Sequence, residues 1–155
     1  NQLQSCSQAE IVNTYDDSIL YTDHILAETI GILSKASDRF DTAMLYVSDH
    51  GESLGENGIY LHGMPYMFAP DTQKHVPMVA WASEGYARKM SLDMRCLRAE
   101  DGNAYSHDNL FHSVLGMFGV ETGVYRSALD IAAPCRRGLA VVGVTDPAAA
   151  ETGHP

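Results

Sequence analysis

Apolar residues recur at every third or fourth position in the first part of the chain: Val12, Tyr15, Ile19, Thr22, Leu26, Ile30 and Leu33. That is the period of a helix with one buried stripe. Ser7-Gln8-Ala9-Glu10 reads as a capping box, in which a hydroxyl and a carboxylate satisfy each other's orphan backbone donors. The helix is predicted to start near Gln8 and to end within residues 34–37. At about 1.5 Å per residue it is roughly 40 Å long, enough to cross the face of a sheet. Asp16, Asp17 and Asp23 lie on or beside it. Asp23-His24 sits inside the helix, where adjacent side chains diverge by about 100°, so that pair is read as surface.

The pattern then changes. Residues 42–47 form an apolar, β-prone run, predicted as the first strand. Residues 48–74 are rich in Gly, Pro and Asn and are read as one long loop, a length that is uncommon and usually functional. A second strand is predicted over 76–82, with Pro77 near its start, where a missing donor is tolerated. Residues 83–90 read as a short helix, and 91–105 carry no decisive pattern. Ser106-His107-Asp108 is placed as the cap of a final helix over 109–118. Its apolar face is Leu110, Phe111, Val114, Leu115 and Phe118, and Gly119 is a suitable C-cap. Residues 138–155 read as a disordered tail. There are no internal repeats. Helix, strand, loop, strand, helix fits part of a three-layer α/β/α sandwich, an α/β fold.

The candidate chemistry lies where the first strand ends, in Ser48-Asp49-His50-Gly51-Glu52-Ser53-Leu54-Gly55-Glu56-Asn57-Gly58-Ile59-Tyr60-Leu61-His62-Gly63. Neighbouring residues in a strand point to opposite faces, so Asp49 and His50 can share one ion only if the chain is already turning. Gly51 tolerates unusual backbone angles at such a turn. Ligand sites beyond the carboxyl end of a strand are the rule in open α/β folds. A carboxylate and an imidazole together suit zinc or manganese better than calcium or magnesium, which prefer oxygen alone. His62 is a further candidate, as a metal ligand or as a contact for a phosphate. Glu52 and Glu56 are candidates to orient His50 or His62 from behind. His75, at the start of the second strand, is a supporting or structural histidine. His107 lies close to the last helix's cap. Ser53 and Thr72 are set aside as nucleophiles, because neither sits on a glycine-flanked elbow beside a base.

Composition narrows the function. A chain of 155 residues, 45% hydrophobic and 19% charged, is globular and long enough for a real core. A net charge of −10 argues against a nucleic-acid partner and against general adhesion to an anionic membrane. Arg88, Lys89, Arg95 and Arg98 form a local exception, read as a solvated helix face. No apolar run is long enough to span a membrane, and no signal peptide is visible. Cys6, Cys96 and Cys135 make an odd count. In an oxidising compartment that suggests a missing partner; in the cytosol all three would be free thiols.

The long motif, with Asn13-Thr14-Tyr15-Asp16, Asp23, Ala69-Pro70, His75-Val76-Pro77-Met78 and Asp108-Asn109-Leu110-Phe111-His112, resembles the lipid A phosphoethanolamine transferases. These are bacterial inner-membrane enzymes associated with polymyxin resistance, in the alkaline phosphatase and sulfatase superfamily. The resemblance runs over residues 1–137 and departs at Asp17, where the pattern has Asn. It implies a zinc-dependent transfer of phosphoethanolamine from phosphatidylethanolamine to lipid A phosphates, with manganese the alternative ion. It implies that Asp49 and His50 hold the catalytic zinc, and that His62 is catalytic and contacts the transferred group. It implies a periplasm-facing catalytic domain of which residues 1–137 are the C-terminal portion. The nucleophilic threonine, further metal ligands and the membrane anchor are then expected upstream of Asn1. It also implies that Cys6 pairs with an upstream cysteine, leaving Cys96 and Cys135 to pair with each other.

Overall fold

In the computed structural model, residues 3–137 are described; the tail expected over 138–155 lies outside them. The chain divides into two compact units, Asn1–Tyr86 and Ala87–Pro155.

The first unit begins with a helix, α1 (Gln8–Ala36). Its capping box is complete: the Ser7 hydroxyl accepts from Glu10 N–H, and the Glu10 carboxylate accepts from Ser7 N–H at 2.8 Å. The Ser7 hydroxyl, which donates to the same carboxylate at 2.7 Å, and then the Ser7 N–H hold the Glu10 carboxyl below its usual range, since they favour its charged form. The stripe predicted from periodicity is only partly covered. Of its residues, Val12, Tyr15, Thr22, Leu26, Ile30 and Leu33 are half-buried and Ile19 is 48% exposed; beside the stripe Ile11 is buried, and Leu20, Tyr21, Ile25 and Ile32 are open. Within this unit the helix packs on the motif hairpin through its first turns, where Gln8 Nε2 donates to Leu54 C=O at 2.8 Å.

Two strands follow, β1 (Ala43–Val47) and, after the motif, β4 (Met78–Ala82). They pair antiparallel, Ala43 opposite Ala82 and Val47 opposite Met78. The second strand starts later than expected. Pro77 has no N–H to donate, although its carbonyl still accepts from Ser48 N–H at 3.3 Å. Ser83 closes the other end, donating N–H to Thr42 C=O and accepting Thr42 N–H on its hydroxyl.

The segment read as one loop holds regular structure. A small hairpin pairs β2 (Ser53–Leu54) with β3 (Tyr60–Leu61), joined by a 3-10 turn over Glu56–Gly58. Gly55 and Gly58 have φ of 118° and 73°, and Asn57 has φ of 55°. Such left-handed angles reverse a chain sharply, and Gly and Asn adopt them at least cost. The one-turn helix α2 (Asp71–Lys74) then leads back to the sheet. The helix α3 (Glu84–Lys89) joins the two units in sequence.

In the second unit, α4 (Met94–Ala99) occupies the stretch without a decisive pattern. The Asp93 carboxylate caps it, accepting from Arg95 N–H and Cys96 N–H. Those bonds, Cys96 first, hold the Asp93 carboxyl below its usual range. The Cys96–Cys135 disulfide ties α4 to the end of the described chain, and Arg137 pairs with Asp93 beside it.

The last helix, α5 (Asp108–Met117), lies within one residue of its predicted bounds, and Gly119 follows it at φ 61°. Its buried side differs from the predicted apolar face. Phe111 and Phe118 are 54% and 77% exposed, while His112, Ser113 and Gly116 are buried. Polar bonds from the segment that follows select that side. His112 Nδ1 accepts from Arg126 N–H and Ser113 Oγ from Ile131 N–H. Beneath Gly116 lies an ion pair between Asp130 and Arg136, whose side chains are 0% and 4% exposed. Tyr125 donates its hydroxyl to the same carboxylate oxygen at 2.7 Å.

A Cβ on Gly116 would fall 2.0 Å from Asp130 Oδ2 and 2.6 Å from Arg136 Nη1. Gly116→Ala is expected to destabilise the second unit by about 1–3 kcal/mol, the usual cost of overpacking, read as a lower denaturant midpoint. Burial, and then the neighbouring Asp130 carboxylate, push the Tyr125 phenol up to about 12. The folded state holds that proton more tightly than an unfolded phenol of pKa about 10. Its stabilisation is therefore complete below about pH 10 and is lost as pH rises through the folded value. A phenolate absorbance titration should show a tyrosine ionising at about pH 12 that disappears in Tyr125→Phe.

Candidate metal centre

The end of β1 delivers the candidate residues. After Val47 the chain leaves the sheet. Ser48 Oγ donates to His50 C=O at 2.8 Å and His50 N–H donates to the Asp49 carboxylate at 3.1 Å, forming a tight local turn. Gly51 lies at its exit. It is not among the left-handed glycines, so the reason for glycine here differs from that expected. Its N–H donates to Gln73 C=O at 3.0 Å, and a Cβ would stand 2.0 Å from Thr72 O. What this position needs is the absence of a side chain where two backbones meet.

The hairpin brings His62 back beside His50. Their rings lie 3.7 Å apart at centroids, tilted by 32°. Glu52 lies against both, with Oε1 2.8 Å from His62 Nδ1 and 3.8 Å from His50 Nδ1. Asp49, whose side chain is 90% exposed, has Oδ2 3.8 Å from His50 Nε2. Two imidazoles and two carboxylates thus meet at a partly open surface. The other expected residues lie elsewhere. Glu56 accepts from Leu54 N–H at 2.7 Å, inside the hairpin turn. His75 is the C-cap of α2, exposed, and donates its N–H to Asp71 C=O. Ser53 is 2% exposed and bonded to Gln73, so its hydroxyl does not face solvent.

A metal fits this donor set. One ligand atom each from His50, Glu52 and His62 can be chosen so that all lie within 4.8 Å of one another. A tetrahedral zinc with bonds of about 2.1 Å needs donors roughly 3.4 Å apart, a closure within reach of small side-chain rotations. Glu52 Oε2 is buried and has no hydrogen-bond partner. An unpaired buried carboxylate oxygen is costly, and a cation would satisfy it. Asp49 adds a second negative charge at the rim. A second group of donors, Cys96, Glu100 and Cys135, also lies close together, but its two sulfurs are joined in the disulfide.

A family model described as Sulfatase matches residues 2–120, and the chain belongs to the sulfatase family. Over 138 residues it is 51% identical to phosphoethanolamine transferase EptA of Salmonella typhimurium (strain LT2), covering 88% of this chain and 25% of that protein. It is 40% identical to phosphatidylethanolamine transferase Mcr-2 of Escherichia coli, covering 79% of this chain and 21% of the relative. Among solved structures, the soluble domain of lipooligosaccharide phosphoethanolamine transferase A from Neisseria meningitidis superimposes with a TM-score of 0.85. The sequence identity is 44%, with 89% of this chain and 42% of that one covered. The same enzyme solved as an integral membrane protein gives a TM-score of 0.84 at 43% identity, covering 88% and 26%. The fold is therefore the α/β fold of these soluble domains. The chain spans about a quarter of the length of the curated relatives it matches.

Gly51→Ala is expected to force the motif loop off α2, because the clash is with backbone rather than with a flexible side chain. A loss of about 1–3 kcal/mol should appear in urea unfolding. A crystal structure of the variant should show Glu52 withdrawn from His62.

Proposed function

We propose that this chain is part of a zinc-dependent phosphoethanolamine transferase that moves phosphoethanolamine from phosphatidylethanolamine to lipid A phosphates. The observation that carries the reading is the cluster of His50, Glu52 and His62, with Asp49 at its rim, in a chain half identical to a phosphoethanolamine transferase. The donor class is that of Mcr-2, a phosphatidylethanolamine transferase, and the acceptor class that of a 30% identical relative, the Kdo(2)-lipid A phosphoethanolamine 7''-transferase of Escherichia coli.

In this reading Asp49 and His50 would hold the ion, and Glu52, whose Oε2 is buried without a partner, would be a further ligand. A bound zinc lowers the pKa of an attacking hydroxyl and offsets charge on the phosphoryl oxygens. His62 faces the transferred group, where it stabilises negative charge or carries a proton. Through its other oxygen, Oε1, Glu52 also orients His62 by the Nδ1 contact at 2.8 Å. The attacking hydroxyl belongs to a threonine outside these 155 residues. It forms a bond to phosphorus as the bond to the diacylglycerol oxygen breaks, and diacylglycerol leaves with the proton. An oxygen of a lipid A phosphate then displaces the threonine. The site works at the bacterial inner membrane with its domain facing the periplasm. That placement is supported by the integral-membrane relative and by a disulfide, a bond that persists in oxidising compartments. Among the described residues no helix is long and apolar enough to cross a membrane.

Two outcomes are expected. The 155-residue chain alone should release no phosphoethanolamine from a labelled donor lipid, and turnover above a metal-only blank would overturn the assignment of the nucleophile. In a longer protein that is active, His62→Ala should lower kcat by about 100- to 1,000-fold, the usual effect of removing one preorganised charge-stabilising group, and Asp49→Ala with His50→Ala should abolish zinc binding. If that double variant retained its zinc, the chain would instead be a binding module whose metal lies elsewhere. The nearest enzymatic alternative is a phosphoglycerol transferase, phosphodiesterase or sulfatase of the same superfamily, which would prefer a different donor in the same assay.

A further inference from the structure

We propose that Gln73 is a positioning residue for the metal centre, acting by gripping the chain on both sides of Glu52. This rests on the metal-binding reading of His50, Glu52 and His62. Gln73, in α2, is 7% exposed. Its backbone carbonyl accepts from Gly51 N–H at 3.0 Å, immediately before Glu52. Its side-chain Nε2 donates to Ser53 Oγ at 2.9 Å, immediately after Glu52. Ser53 is buried and also lies 3.4 Å from Thr72 Oγ1.

One glutamine therefore holds residues 51 and 53 while residue 52 points away from it. Side chains alternate along extended backbone, so drawing Ser53 inward turns Glu52 toward the histidines. Two features indicate that this orientation is imposed. The approach at Gly51 is too close for any Cβ, so the loop and α2 are in backbone contact. Glu52 also carries a buried, unpartnered Oε2, and an unrestrained carboxylate would rotate that atom into water. The grip keeps Oε2 buried and Oε1 2.8 Å from His62, ready for a cation. None of the Gln73 atoms used here is a metal ligand, and its action on the ion runs entirely through Glu52.

The test uses Gln73→Met, which keeps the length, bulk and backbone carbonyl and removes only the donor to Ser53. Ser53→Ala removes the acceptor and approaches the same bond from the other side. Zinc affinity of the 155-residue chain is measured by competition with a chromophoric chelator, alongside thermal melts and crystal structures of the metal-free variants. Each single variant should bind zinc about 10- to 100-fold more weakly, the range for residues that orient ligands. The double variant should be no weaker than either alone, as expected when two residues act through one bond. A purely structural role would lower the melting temperature without that non-additive loss of affinity. Gln73→Met binding zinc as the wild type does, with Glu52 still on His62, would overturn the proposal. Failure of the metal reading would look different: wild-type and Glu52→Ala chains would bind zinc equally. The metal-free structures would then decide, a retained Glu52–His62 contact in Gln73→Met counting against the grip and a lost one supporting it.

Discussion

The hydrogen bond from Gly51 N–H to Gln73 C=O, 3.0 Å long, is the constraint on which the meeting of His50, Glu52 and His62 depends. The antiparallel ladder of β1 and β4 ends at Val47 and Met78, with one further bond from Ser48 to Pro77. Beyond that point the chain has no sheet partner, and a polar segment released there would follow solvent. The bond to α2 recaptures it. The hairpin of β2 and β3 then returns His62 to within ring contact of His50. Remove the backbone approach at Gly51 and the donors remain in the sequence but no longer converge.

Chemistry and stability are carried by different parts of the chain. In the first unit the ionisable groups cluster at a partly exposed surface, with one carboxylate oxygen unsatisfied. That is an arrangement poor for stability and suited to a cation. In the second unit a buried carboxylate is fully partnered: Asp130 takes Arg136, Tyr125 and the Ala132 N–H, all in the shelter of α5. Breaking a buried pair of that kind costs far more than forming it returns. That pair and the disulfide hold the second unit together.

Much of this was readable before any coordinates. Ser7 and Glu10 mark the start of α1, since a capping box is a local device that needs no distant partner. Residues 42–47 and 76–82 identify the paired strands, with an error at Pro77 that follows from its missing donor. Asp49, His50, Glu52 and His62 were legible as candidates from the strand end, the turn and the residue types, but that His62 returns to His50 was not, because spacing alone does not say that a chain will double back. The hairpin within the motif had a signal in Gly55-Glu56-Asn57-Gly58, but its strands are two residues each, too short for alternation to register. The helix α4 was missed although Asp93 before Met94 is an N-cap signal, because six residues are too few for periodicity. Gln73 carried no signal at all: a glutamine in a polar stretch has no pattern that marks it as buried.

Sequence by itself determined the local devices and the inventory: where helices begin, which runs favour strands, the donor types available for a metal, and a motif specific enough to place the chain in its family. Tertiary structure decided which faces are buried and which donors meet. The apolar stripe of α1 is left partly open, and α5 buries a histidine, a serine and a glycine in place of its phenylalanines. The reason is that periodicity records which residues gain by leaving water, whereas burial also requires a partner surface. Where the available partner is a buried carboxylate and a set of backbone N–H groups, hydrogen bonding and the space left by a missing Cβ outweigh apolar area.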